Sequence, residues 1–145
     1  MTGASNQVIA YLAPEIPALS ETFVYEEMFG IERLGFRVIP ISLRAPVVPA
    51  SDQQALADRV TILYSGSKIH LLWAGLAGMP FFAKSAVIAL RYLVSDILEC
   101  GPHRLASWKL AYQFLAAVKL ARILKREHCA HLHVHFAHTP AQIAM

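Results

Sequence analysis

Charge is scarce in this sequence. Only 16% of its 145 residues are Asp, Glu, Lys or Arg, whereas 56% are apolar. So low a charge content excludes a disordered chain and implies heavy burial or contact with a membrane. Cysteine is scarcer still: Cys100 and Cys129 stand alone with no CxxC. That excludes a disulfide framework and fits reduced thiols in a cytosolic protein. The opening residues lack the basic and apolar regions of a secretory signal. One uncharged stretch, residues 69–83, is 15 residues long and holds Gly75, Gly78 and Pro80. It falls short of the roughly 20 residues that cross a bilayer, so no transmembrane helix is expected. Also missing are GxGxxG and a Walker loop, which leaves neither a Rossmann dinucleotide site nor a P-loop indicated. There is no GxSxG, HExxH or paired-carboxylate motif either.

The charge that is present is unevenly spread. Residues 1–83 hold five Lys or Arg against seven Asp or Glu, and residues 84–145 hold eight against three. A basic, apolar second half suits an anionic membrane surface or phosphate-bearing ligands. No nucleic-acid motif accompanies it, and no nucleic-acid partner is expected.

At this length the chain amounts to one domain, 1–145, with no repeats or linker. Residues 8–13 read as a buried strand. A helix follows, with Ser20 as N-cap and Glu21 at the positive end of its dipole. Phe23, Val24, Met28, Ile31 and Leu34 form its apolar stripe, with Glu26, Glu27, Glu32 and Arg33 mostly off it. Gly35 stands where a left-handed residue ends a helix. FRVIPISL reads as a second strand, with Pro40 placing it near an edge or making it irregular. A helical turn over 52–58 and a third strand at RVTILYS are expected next. Residues 69–127 read as apolar helices broken near Pro80 and at CGPH. The last of these carries Trp108, Tyr112, Leu115, Val118 and Ile123 on one stripe and Lys119, Arg122 and Arg126 on another. HLHVHFA is a strand, and HTPAQIAM starts a helix with Thr139 as cap and Pro140 at the first helical position. Strand–helix–strand repetition of this kind makes an α/β protein with a Rossmann-like parallel sheet and flanking helices.

Three places carry chemistry. The first is Ser20-Glu21-Thr22, a loop-to-helix junction of the sort that meets ligands beyond the carboxyl ends of parallel strands; its plain alternative is a helix cap. The second is the alternating trio His131, His133 and His135, which shares one strand face, with His138 close behind. The outer two span about 13 Å along a strand, and no distant Asp, Glu or Cys is evidently recruited, so no metal is assigned. One or two of these histidines are instead expected to face a ligand cleft. The third is the apolar stretch 69–98 with Lys84, Arg91 and Ser95 on one side, which reads equally as a core helix pair or as a surface that meets lipid head groups.

PEIPALSETFVYEEMFGIERLGFRVIPISLR resembles the opening of bacterial GT-B glycosyltransferases that build exopolysaccharide and colanic acid (glycosyltransferase family 4-like). Pro17, Ser20, Glu21, Thr22, Phe23, Val24, Leu34, Ser42, Leu43 and Arg44 carry the likeness. HLHVHFAHTPAQIAM is similar to the family's His-x-His-Phe-Ala segment. The two stretches bracket the chain. The resemblance implies the N-terminal, acceptor-side half of a GT-B fold, cut short, with the donor-binding C-terminal domain absent. In such enzymes a hexosyl group passes from a nucleotide-sugar donor to a glycan that is often lipid-linked, usually with retention and without a cofactor. Positive groups and helix dipoles stabilise the departing diphosphate. Four positions carry over as substrate-binding: Ser20, Glu21, Thr22 and His135. His135 is the sole catalytic candidate, and a fragment of this extent is expected to be inactive alone. The implied location is cytoplasmic, peripheral at the inner membrane face. The alternative is a non-catalytic α/β module that docks on a membrane or protein through its apolar, basic helices.

Overall fold

The computed structural model of the chain describes residues 7–18, 22–46, 53–66, 71–73, 75, 77, 83–136 and 139–144. Four strands, β1 (Val8–Glu15), β2 (Arg37–Arg44), β3 (Thr61–Ile62) and β4 (Cys129–Val134), form one sheet in the order β3-β2-β1-β4. Every neighbouring pair is parallel. The helices are α1 (Thr22–Arg33), α2 (Gln54–Ala57), α3 (Ala83–Cys100), α4 (Leu105–Arg126) and α5 (Thr139–Ala144). This is a Rossmann-like α/β architecture. From β1 the chain steps outward to β2 and β3, then returns to the far side of β1 as β4. The reversal makes the β1/β4 boundary the topological switch point of the sheet.

Strand alternation divides the core in two. Ala10 and Leu12 point to one face, where Ala116, Leu120 and Ile123 of α4 and Ile143 of α5 pack on them. The spacing of those α4 residues is what places one helical stripe against a sheet. Tyr11 and Ala13 point to the other face, against Val24 and Met28 of α1. Leu132 and Val134 of β4 join the α4 side, so His131, His133 and His135 must lie on the α1 side.

The stripe expected on α1 is only half buried. Val24 and Met28 are enclosed, whereas Phe23 and Leu34 are exposed. Gly35 adopts φ 91°, the left-handed conformation that its position after the helix calls for. Pro40 does not mark an edge strand, because β2 lies between β1 and β3. The proline is nonetheless accommodated locally: β3 pairs with β2 only at Ile41 and Ser42, past Pro40. On α4 the expected stripe is also partial. Val118 and Ile123 are buried but Trp108 is 70% exposed. Gly101, at φ 89°, breaks the chain between α3 and α4 within CGPH. Thr139 opens α5 and Pro140 is its second residue, buried. The expected break near Pro80, the side chain of Lys84, and the start of the turn at residue 52 lie outside the described residues. Among the described residues no helix is long and apolar enough to cross a membrane. On α3, Val87, Ile88, Leu90, Tyr92, Val94 and Leu98 are all exposed.

Candidate functional site

The carboxyl ends of β1 and β4 meet α1 at the switch point, and there the chain gathers its aromatic and titratable side chains. The His135 N–H donates to the Leu12 carbonyl at 2.9 Å, continuing the β1–β4 ladder one residue beyond β4. This bond fixes His135 at the rim. Its ring stacks on Tyr11 at 5.7 Å and meets the edge of Phe23 at 5.8 Å. Phe136, next along, faces Phe23 at 6.3 Å. Phe136 has φ 72°, a left-handed backbone unusual for a bulky residue. Backbone strain of this kind clusters at functional sites.

Glu27, one turn beyond Phe23 on α1, reaches into the same cluster. The Tyr11 hydroxyl donates to Glu27 Oε1 at 2.8 Å. Glu27 Oε1 lies 3.8 Å from His133 Nε2, and Oε2 lies 3.6 Å from His135 Nε2. The His133 and His135 rings are 4.6 Å apart. His135 Nε2 is buried and has no hydrogen-bond partner among the described residues, a costly state for a polar atom. Burial and the neighbouring His133 push the His135 imidazole below its usual range, with Glu27 opposing them. Burial and His133 together favour the neutral ring. Burial, and after it the bond to Glu27, pushes the Tyr11 phenol upward, so Tyr11 stays a donor.

The loop that carries the chain from β1 toward α1 is anchored by Ser42. This fully buried hydroxyl accepts from the Ile16 N–H at 3.2 Å and donates to the Arg44 carbonyl at 2.6 Å. Arg44 in turn pairs with Glu15 at 3.2 Å. Ser42 and Arg44 thus shape the rim itself. On the opposite face of the rim is a cavity of about 350 Å3 lined by Pro14, Leu43, Arg44, Tyr64, Thr139 and Pro140.

Of the residues expected at the site from sequence, Thr22 begins α1 at the rim and His135 is in the cluster. Ser20 and Glu21, and likewise His138, lie outside the described residues. His131 is exposed and stays 6.3 Å from His133, ring to ring. Sequence reasoning missed Tyr11 and Glu27. Glu27 reads as a solvent-side carboxylate on a helix wheel, and only the placement of β4 beside β1 turns it toward the histidines. The available signal was Phe23, four residues earlier and so on the same side of α1.

At the amino end of the sheet is another cavity, about 330 Å3, lined in part by Glu32, Arg37, Arg59, Arg126 and Glu127. Its charges are spent on one another. Arg37 and Arg126 pair with Glu127 at 2.6 and 2.9 Å, and Arg59 pairs with Glu32. The carboxyl rim, with its unpartnered His135 nitrogen, is the better ligand site.

Comparison with protein-family models, with curated proteins and with solved structures found no match to this chain.

Proposed function

We propose that this chain is the acceptor-side domain of a GT-B type glycosyltransferase that works in exopolysaccharide assembly. The observation that carries the reading is His135, held at the switch point by the Leu12 carbonyl, with one buried nitrogen unsatisfied. Ligands of open parallel sheets collect at that point. The surrounding Phe23, Tyr11 and Phe136 supply apolar ring faces, and a few polar groups among aromatic walls are the usual make-up of a small-molecule site. Thr22 and His135 would hold acceptor hydroxyls; the resemblance assigns Ser20 and Glu21 to the same role. The nucleotide-sugar donor would bind to the second domain of such enzymes. The exposed apolar face of α3 would rest on the cytoplasmic face of the inner membrane, where lipid-linked acceptors are presented.

Calorimetric titration with a short-chain prenyl-diphosphate sugar tests the reading. Phe23 is 53% exposed, so Phe23→Ala keeps the fold while removing an aromatic wall. Binding by the unmodified chain, weakened about tenfold in the variant, is expected for loss of a well-placed aromatic contact. Absence of binding, or equal affinity in both proteins, contradicts it. The same exposed α3 face also suits a second reading, a non-catalytic module that docks on a membrane. In that case the chain binds vesicles as well with the sugar on the lipid as without it.

A further inference from the structure

The cluster beneath the rim has a property that the sugar-transfer reading does not use. Three candidate ligand atoms, one each from Glu27, His133 and His135, lie within 4.8 Å of one another. They come from two elements held together by the core, α1 and the β4 strand with its first following residue. In a tetrahedral zinc site with bonds of about 2.0–2.1 Å, neighbouring ligand atoms are roughly 3.4 Å apart. Glu27 Oε1 is 3.8 Å from His133 and Oε2 is 3.6 Å from His135, so bidentate binding, or a rotation that turns one carboxylate oxygen to both rings, brings all three residues onto one ion. Alternation along β4 explains why two histidines converge and the third does not. His131 is farther down the strand, on the same face but a full repeat farther from Glu27 than His133.

Two further features fit a metal better than a bare ion pair. Tyr11 donates to Glu27 Oε1 at 2.8 Å and so orients the carboxylate, as outer-shell partners do around bound metals. His135 Nε2 is buried without a hydrogen-bond partner, as a ligand nitrogen would be before its ion arrives. We propose that Glu27, His133 and His135 form a three-ligand site for one divalent transition-metal ion, Zn2+ foremost, with a coordination position open toward the rim. Two imidazoles and one carboxylate favour such ions over Mg2+ or Ca2+, which prefer all-oxygen shells. An open position is the mark of a site that also receives an outside ligand. The proposal does not rest on the sugar-transfer reading, because metal binding is read without any sugar present.

The test is titration of the intact chain with ZnCl2 by calorimetry and with CoCl2 by visible absorption, in chelator-free buffer. One ion per chain is expected, with Co2+ d–d bands of tetrahedral intensity. His133 is 39% exposed at its side chain, so His133→Ala keeps the fold and should weaken Zn2+ binding by more than about tenfold. Glu27→Gln should do the same, whereas His131→Ala should leave the affinity within about twofold. Absence of stoichiometric binding and of the Co2+ bands overturns the proposal. Equal losses from His131→Ala and His133→Ala also overturn it, since they indicate loose chelation by surface histidines. No loss from Glu27→Gln removes Glu27 from the site and overturns the three-ligand assignment. The Co2+ spectrum of the unmodified chain decides the matter even if a variant misfolds.

Discussion

Ser42 shows how one hydroxyl can hold a site without touching a ligand. It is fully buried at the carboxyl end of β2 and satisfies the N–H of Ile16 on the departing loop. Ser42→Ala leaves that buried N–H without a partner, a loss of about 1–3 kcal/mol. Urea denaturation of the variant should show a lowered midpoint at unchanged slope; an unchanged midpoint would mean that water replaces the hydroxyl. Residue chemistry of this sort was only partly legible in the sequence. His135 could be selected because alternation along HLHVHFA makes it face one side of a strand. The roles of Tyr11, Glu27 and Ser42 could not, because they depend on neighbours far along the chain: 16 positions for Tyr11 and Glu27, 26 for Ser42 and Ile16, and more than 100 for Glu27 and the histidines.

Secondary structure was easier to read, because each element declares itself over a short window. The polar spacing and Gly35 marked the end of α1, and CGPH marked the break between α3 and α4. What periodicity could not supply was which part of each stripe would be covered. Phe23 and Trp108 belong to helical stripes yet remain exposed: the first is in the opening turn of α1 at the carboxyl rim, and the second is in the opening turn of α4, ahead of the residues that reach the core. Elements are also tied at their ends. Arg37 at the start of β2 and Arg126 at the end of α4 both bond Glu127. Those bonds, that from Arg37 foremost, hold the Glu127 carboxyl below its ordinary value of 4.5. A carboxylate whose pKa is lowered on folding contributes stability above its unfolded pKa and loses it as pH falls through the folded value. Thermal midpoints recorded from about pH 5 down to about pH 3 should therefore fall more steeply in the native chain than in Glu127→Gln. Added salt should shrink the difference, because the pair is solvent-facing. Parallel curves would show that the link is not maintained in solution.

At the scale of the whole molecule, the order β3-β2-β1-β4 decides which side chains meet at the carboxyl rim. It folds a carboxylate from the first helix and two histidines from the last strand region, 106 or more positions apart in the chain, onto one corner of the sheet. The α/β class and the parallel sheet were legible from alternating strand and helix patterns. The order of strands was not, because nothing local in β4 states which edge it joins. That order also separates the ends of the sheet chemically: charges at the amino end are held in internal ion pairs, and the carboxyl end keeps a buried imidazole nitrogen that is unpartnered among the described residues. The measurement that probes this division most directly is an NMR titration of the isotope-labelled chain with the prenyl-diphosphate sugar, following backbone and side-chain signals at both ends. The account predicts shifts confined to Thr22, Phe23, His135, Phe136 and their neighbours. Shifts centred instead on Arg37, Arg59 and Glu127, or no shifts at all, would contradict it.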